Sequence, residues 1–204
     1  MQTEHLPRRQ QLAEQAAQRA LAGQSPGPVL PRLRLVTTAE LLCPAPPPTT
    51  AIDLTAELQA LCTAVQQAVR RRPGWLYLGV PDRALPVAVR PRLLRAAVLC
   101  ALRTVLAAGG NAALTVQLRQ GDLMLCLRGG RGASLTGDAA ALWRHCAAEG
   151  GGQALLVAGG APCAVLRLPL RPDLACCPAP SVQGLVRDRL GLVAVYLDGF
   201  CVGE

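Results

Sequence analysis

Apolar side chains recur at Leu54, Leu58, Leu61, Val65 and Val69, a three-to-four spacing that makes one side of a helix apolar. Asp53 or Thr55 stands where its cap belongs, and Pro73 and Gly74 end it. A longer helix is predicted over Arg92–Ala108, where Leu94, Ala97, Val98, Ala101, Leu102, Val105 and Leu106 form a broad face closed by Gly109 and Gly110. A third runs over Asp138–Glu149 and stops at Gly150–Gly152. Between the helices the period changes to two. Trp75–Val80 and Leu85–Val89 read as strands; Leu114–Arg119, the turn QGD and Leu123–Arg128 read as a hairpin with one buried face. Ala154–Ala158 and Cys163–Leu168 form a second strand pair joined by GGAP, and SVQGLVRDRLGLVAVYLDGF predicts a short helix and then an edge strand, Leu192–Leu197.

Ahead of these elements, Leu6–Ala22 is a run of helix formers with a weak apolar stripe, and Leu33–Leu42 is a second short helical segment. The prolines of CPAPPPTT stop it and stiffen a linker, which sets a boundary near residue 50. The order helix, strand, helix, hairpin, helix, hairpin predicts an α/β two-layer sandwich, a mixed sheet covered by helices on one face. Residues 1–50 form a helical and Pro-rich segment, 51–172 the sandwich, and 173–204 an extension.

Composition narrows the function more than the fold. The chain has 204 residues, is 51% apolar and carries a net charge of +8, yet only 2% of it is aromatic, which leaves few platforms for stacking bases. All 21 basic residues are arginine, and Ile52 and Asn111 are the only residues of their types, a skew toward Ala, Leu, Arg, Gly and Pro that adds Arg without regard to function. Anion or nucleic-acid binding through Arg90, Arg92, Arg95, Arg103 and Arg128 is accordingly the weakest class. Nine cysteines without a Cys-x-x-Cys pair or a nearby His cluster describe neither a zinc site nor a disulfide framework. Vicinal Cys176 and Cys177 remain a candidate redox or metal sensor. No apolar run reaches the ~20 residues of a membrane span, and the odd cysteine count and lack of an apolar leader point to the cytoplasm.

The ordered phrases IDLTAELQAL (52–61), RPRLLRAAVLCALRTVL (90–106), LCLRGGRG (125–132) and EGGGQALLVAGGAPCAVLRLPL (149–170) together resemble the ATP-binding domain of sensor histidine kinases, of the GHKL superfamily. The resemblance implies the histidine-kinase-like ATPase fold for 51–172 and a shrunken dimerisation region for 1–50. It also implies an ATP pocket, and the residues there have changed. Thr104, with Cys100 one turn earlier, stands where the family has the Asn that holds Mg²⁺. Arg128 stands where the family's first glycine box has the Asp that accepts from the adenine amino group, so that donor would face donor. Gly130 and Gly132 keep the register of that box. Only Ala133–Gly137 separates it from the next helix, too short for an ATP lid. His5 is the candidate phosphoacceptor, with Leu6 where an acidic residue belongs, while His145 reads as a helix-face residue.

These departures predict a degenerate signalling module without catalytic residues, cofactor or metal, whose vestigial pocket is Cys100, Thr104, Arg128, Gly130 and Gly132. Its partner would be a protein, a homodimer included, bound through the edge strand near Val193–Leu197 or through the emptied pocket. The alternative is a divergent ATP-binding sensor kinase with Mg²⁺ at Thr104.

Overall fold

The computed structural model describes residues 10–12, 14–15, 18, 22, 29–46, 48–69, 75–119, 121–130, 134–157 and 163–201. The elements are α1 (Leu30–Leu42), β1 (Ala51–Asp53), α2 (Leu54–Ala68), β2 (Leu76–Gly79), β3 (Pro86–Val87), α3 (Pro91–Ala107), β4 (Ala112–Arg119) and β5 (Asp122–Arg128). After them come α4 (Gly137–Glu149), β6 (Gln153–Val157), β7 (Cys163–Pro169), β8 (Cys176–Cys177), α5 (Val182–Arg187) and α6 (Leu192–Tyr196). The predicted helix over Leu6–Ala22 falls largely outside the described residues.

Five strands form the main sheet in the order β2-β4-β5-β7-β6, with β2 parallel to β4 and the other pairs antiparallel. Leu114, Val116, Leu123, Leu125, Leu127, Leu166 and Leu168 are buried on one side, where α2, α3 and α4 lie, as the alternation of LTVQLR and LMLCLR requires. The fold is the α/β sandwich, with two amendments. Pro86 and Val87 do not join the main sheet but pair with β1, which in turn pairs with β8, giving a second sheet β3-β1-β8. This small sheet is tied to the start of α2 by Asp53, whose Oδ1 accepts from both Thr55 N (3.1 Å) and Leu85 N (2.9 Å).

The second amendment concerns residues 192–197. They form the helix α6 rather than an edge strand, with Val193, Val195, Tyr196 and Leu197 buried, so they offer no edge to a partner. LVAVY is apolar at almost every position, and a run of that kind is compatible with either a buried strand or a buried helix. With α1, this helix forms a partial third layer: α1 packs against α3, α4 and α6, and α6 packs against α3. Among the described residues no helix is long and apolar enough to cross a membrane.

Candidate functional site

Of the residues that the sequence tied to nucleotide chemistry, Cys100 and Thr104 lie on α3. A helix at the surface of a domain buries one stripe. α3 buries its predicted stripe and also Leu93, Ala96, Leu99 and Cys100, so apolar contacts wrap most of its circumference. The sheet side is covered by strands. The side carrying Cys100 and Arg103 is covered by the chain's own α1 and α6.

Contacts of Tyr196 and Arg103 close that side. Tyr196 of α6 is fully buried and its hydroxyl pairs with Thr38 of α1 at 2.8 Å. Arg103 of α3 donates from Nη1 to the carbonyls of Tyr196 (3.0 Å) and Asp198 (2.7 Å), satisfying backbone acceptors at the end of α6. Its guanidinium also lies 5.4 Å from the centroid of the Phe200 ring. Burial, and then the neighbouring Arg34, lower the pKa of Arg103, while Asp198 and Cys100 act in the opposite direction.

Cys100 is 7% exposed, and burial, reinforced by Asp138, raises its thiol to about 11. Thr104 is half-buried, and its hydroxyl donates back to the Cys100 carbonyl at 3.1 Å, a helix-internal bond that directs the hydrogen to the backbone. Beyond α3, Gly130 sits directly against Gly110. A Cβ on Gly130 would stand 3.1 Å from Gly110 Cα, and one on Gly110 would stand 2.9 Å from Gly130 N. The absence of side chains therefore lets two backbones touch at this point.

Arg128 lies apart from these groups. Leu123, Leu125 and Leu127 point into the core, so Arg128, in phase with Met124 and Cys126, belongs to the outer side of the sheet and is exposed. The structure thus brings Cys100 and Thr104 together and places Gly130 at the Gly110 turn. It leaves Arg128 on the opposite face. Gly132 and His5 lie outside the described residues.

A polar cluster at the other end of α3 escaped the sequence reading. Glu149 accepts from Arg90 twice, from the backbone N at 2.6 Å and from Nε at 2.5 Å. Arg90 Nη2 donates to the Leu41 carbonyl at 3.0 Å and lies 3.3 Å from His145 Nε2. The usable signal was the i, i+4 spacing of His145 and Glu149, which sets both on one side of α4. A cavity of about 330 Å³, lined by Glu40, Leu41, Arg90, Pro91 and Arg92, opens beside this cluster. Arg95 is likewise held internally by buried Glu57, with its Nη2 3.2 Å from Glu57 Oε2. Arg90, Arg95 and Arg103 are thus structural cations and do not make the basic face that anion binding would need.

No family model matches the chain, and no curated protein does. Among solved structures it is similar to the histidine kinase domain of the E. coli osmosensor EnvZ, at 14% identity and TM-score 0.49 over 68% of this chain and 99% of that one. It is similar also to the ATP-binding domain of PrrB from Mycobacterium tuberculosis, at 23% identity and TM-score 0.45 over 60% and 97%. A histidine kinase from Burkholderia phymatum STM815 aligns at 17% identity and TM-score 0.46 over 80% and 92%.

Proposed function

We propose that this chain is a histidine-kinase-like module that no longer binds ATP and acts in the cytoplasm by contact with a protein partner in a signalling pathway. One observation carries the proposal: the side of α3 that bears Cys100, with Thr104 at its margin, is covered by α1 and α6 and clamped by Arg103. A nucleotide set against that side would have to displace Tyr196 and Phe200. Doing so would expose their apolar surface and leave the carbonyls of Tyr196 and Asp198 without their donor, a cost added to every ligand contact.

A ligand raises the thermal midpoint of whatever folded state it binds. The midpoint of this chain is expected to stay unchanged when excess ATP and Mg²⁺ are added, as read by differential scanning fluorimetry. A rise that saturates with ATP concentration would overturn the proposal in favour of a divergent kinase, and label transferred to His5 would establish that kinase.

A further inference from the structure

We propose that the outer face of the main sheet rests on the surface of a phospholipid bilayer with anionic headgroups, its apolar side chains among the headgroups and its arginines on the phosphates. The inference goes beyond the function above and does not rest on it. α2, α3 and α4 pack on the inner face of the sheet. On the outer face the register gathers Tyr77, Ala113, Arg128 and Val157 into one row: Tyr77 pairs with Ala113, Ala113 with Arg128, and Cys163 with both Arg128 and Val157. The next row, Gly79, Thr115, Cys126, Val165 and Leu155, holds no charge. An antiparallel face left to water ordinarily carries polar side chains. Here Tyr77 and Leu155 are each 61% exposed and Val157 is 42% exposed, with exposed Arg128 in the same row as Tyr77 and Val157.

Shape and charge together select the occupant. Neighbouring strands lie about 4.8 Å apart, so the row from Tyr77 to Val157 spans about 20 Å, and an occupant that touches both ends must be broad. The backbone donors and acceptors of the sheet are spent on its own ladder, so the face offers apolar contact and charge but few directed bonds. A bilayer surface asks for no more, because binding to it grows with the apolar area buried and with attraction to anionic lipids. Tyrosine suits that depth, its ring apolar and its hydroxyl wet. The Tyr77 ring lies back over Gly79, 3.1 Å from where a Cβ on that glycine would stand. The outward arginines of the sheet are Arg119, Arg128 and Arg167, against the acid Asp122, which Arg167 already holds through a bond from Nε to Oδ2 of 2.7 Å. Among the described residues neither Arg119 nor Arg128 enters an ion pair. The face therefore keeps a positive charge, which complements an anionic surface and repels a second copy of this chain.

Co-sedimentation of the full chain with vesicles of phosphatidylcholine, with and without phosphatidylglycerol, tests the proposal. The chain is expected to bind the vesicles that contain phosphatidylglycerol, to ignore those that lack it, and to be released as salt rises. Arg128→Glu is expected to weaken binding about tenfold. Leu155→Gln should weaken it too, although the net charge stays the same. Arg187→Glu makes the same change of charge as Arg128→Glu but on α5, which packs against α2 on the helical side of the sheet, and is expected to bind as the wild type does. No binding to the anionic vesicles overturns the proposal and leaves an acidic protein as the occupant of the face. Equal binding to both kinds of vesicle, undiminished binding by L155Q, or equal losses from R128E and R187E would overturn it as well. If a variant fails to fold, enzymatic iodination of the wild-type chain decides instead. Tyr77 is exposed, whereas Tyr196, the other tyrosine, is fully buried. Vesicles containing phosphatidylglycerol must shield Tyr77 from the enzyme, and unchanged labelling is the overturning result.

Discussion

Glu57 is 1% exposed, and it is tolerated there because Arg95 of α3 grips both carboxylate oxygens. A buried ion pair contributes little compared with apolar residues of the same shape, but removing one member strands the other in a medium that cannot solvate it. Arg95→Met is therefore expected to cost about 3–5 kcal/mol in urea unfolding. Adding Glu57→Met to the same chain should recover most of that loss. An additive double variant would mean that the two groups do not act as a pair. Arg128 teaches a different lesson at this scale. Its motif position suggested a pocket residue, yet it is out of phase with Leu123, Leu125 and Leu127, and that phase was legible in LMLCLR alone. Register within a strand decides which face a side chain serves, and a motif match that ignores it can put a residue on the wrong side of a sheet.

At the scale of elements, the helices with caps and a clear period were legible: α2 begins at the Asp53 cap and α3 at Pro91. The hairpin β4–β5 and the pair β6–β7 also follow from alternation within a residue or two. What pattern could not supply was partnership over long separations. β3 is two residues long and pairs with a strand more than thirty residues earlier, and α6 is helical because it fills the space between α1 and α3. The covering of α3 left a faint trace in the sequence, since Leu93, Ala96, Leu99 and Cys100 are apolar beyond what one stripe requires. Arg103 fastens α6 to that surface. Arg103→Met would leave the carbonyls of Tyr196 and Asp198 without their donor, at a cost of about 1–3 kcal/mol. Native-state alkylation is the sensitive readout. Cys100 should react faster in this variant while Cys146, fully buried on α4, does not. Equal acceleration at both thiols would point to general unfolding rather than release of α6.

For the whole molecule, one continuous core built largely of Leu, Val and Ala holds sheet and helices together, and cysteines serve in it as small apolar groups. Burial raises the Cys62 thiol to about 12 and that of Cys100 to about 11, from an ordinary value of 9.0. Burial also pushes up Cys146 and the Tyr196 hydroxyl. In each case the unfolded chain releases its proton at lower pH than the folded chain, so rising pH favours unfolding. Stability from these thiols is intact below pH 9 and is lost progressively through about 11 for Cys100 and through about 12 for Cys62. The slope approaches about 1.4 kcal/mol per pH unit for each thiol. Urea midpoints measured across that interval should fall, and Cys100→Ala should flatten the fall between pH 9 and 11. A midpoint independent of pH there would contradict the burial of these groups.

The bond between Thr38 and Tyr196 spans 158 positions. During synthesis on a ribosome, α1 and α3 are made long before α6, so the cover of the side bearing Cys100 and Arg103 is completed only when residues 192–200 emerge. Through that interval the half-built protein leaves part of the apolar side of α3, beside an arginine, without the cover its finished form supplies.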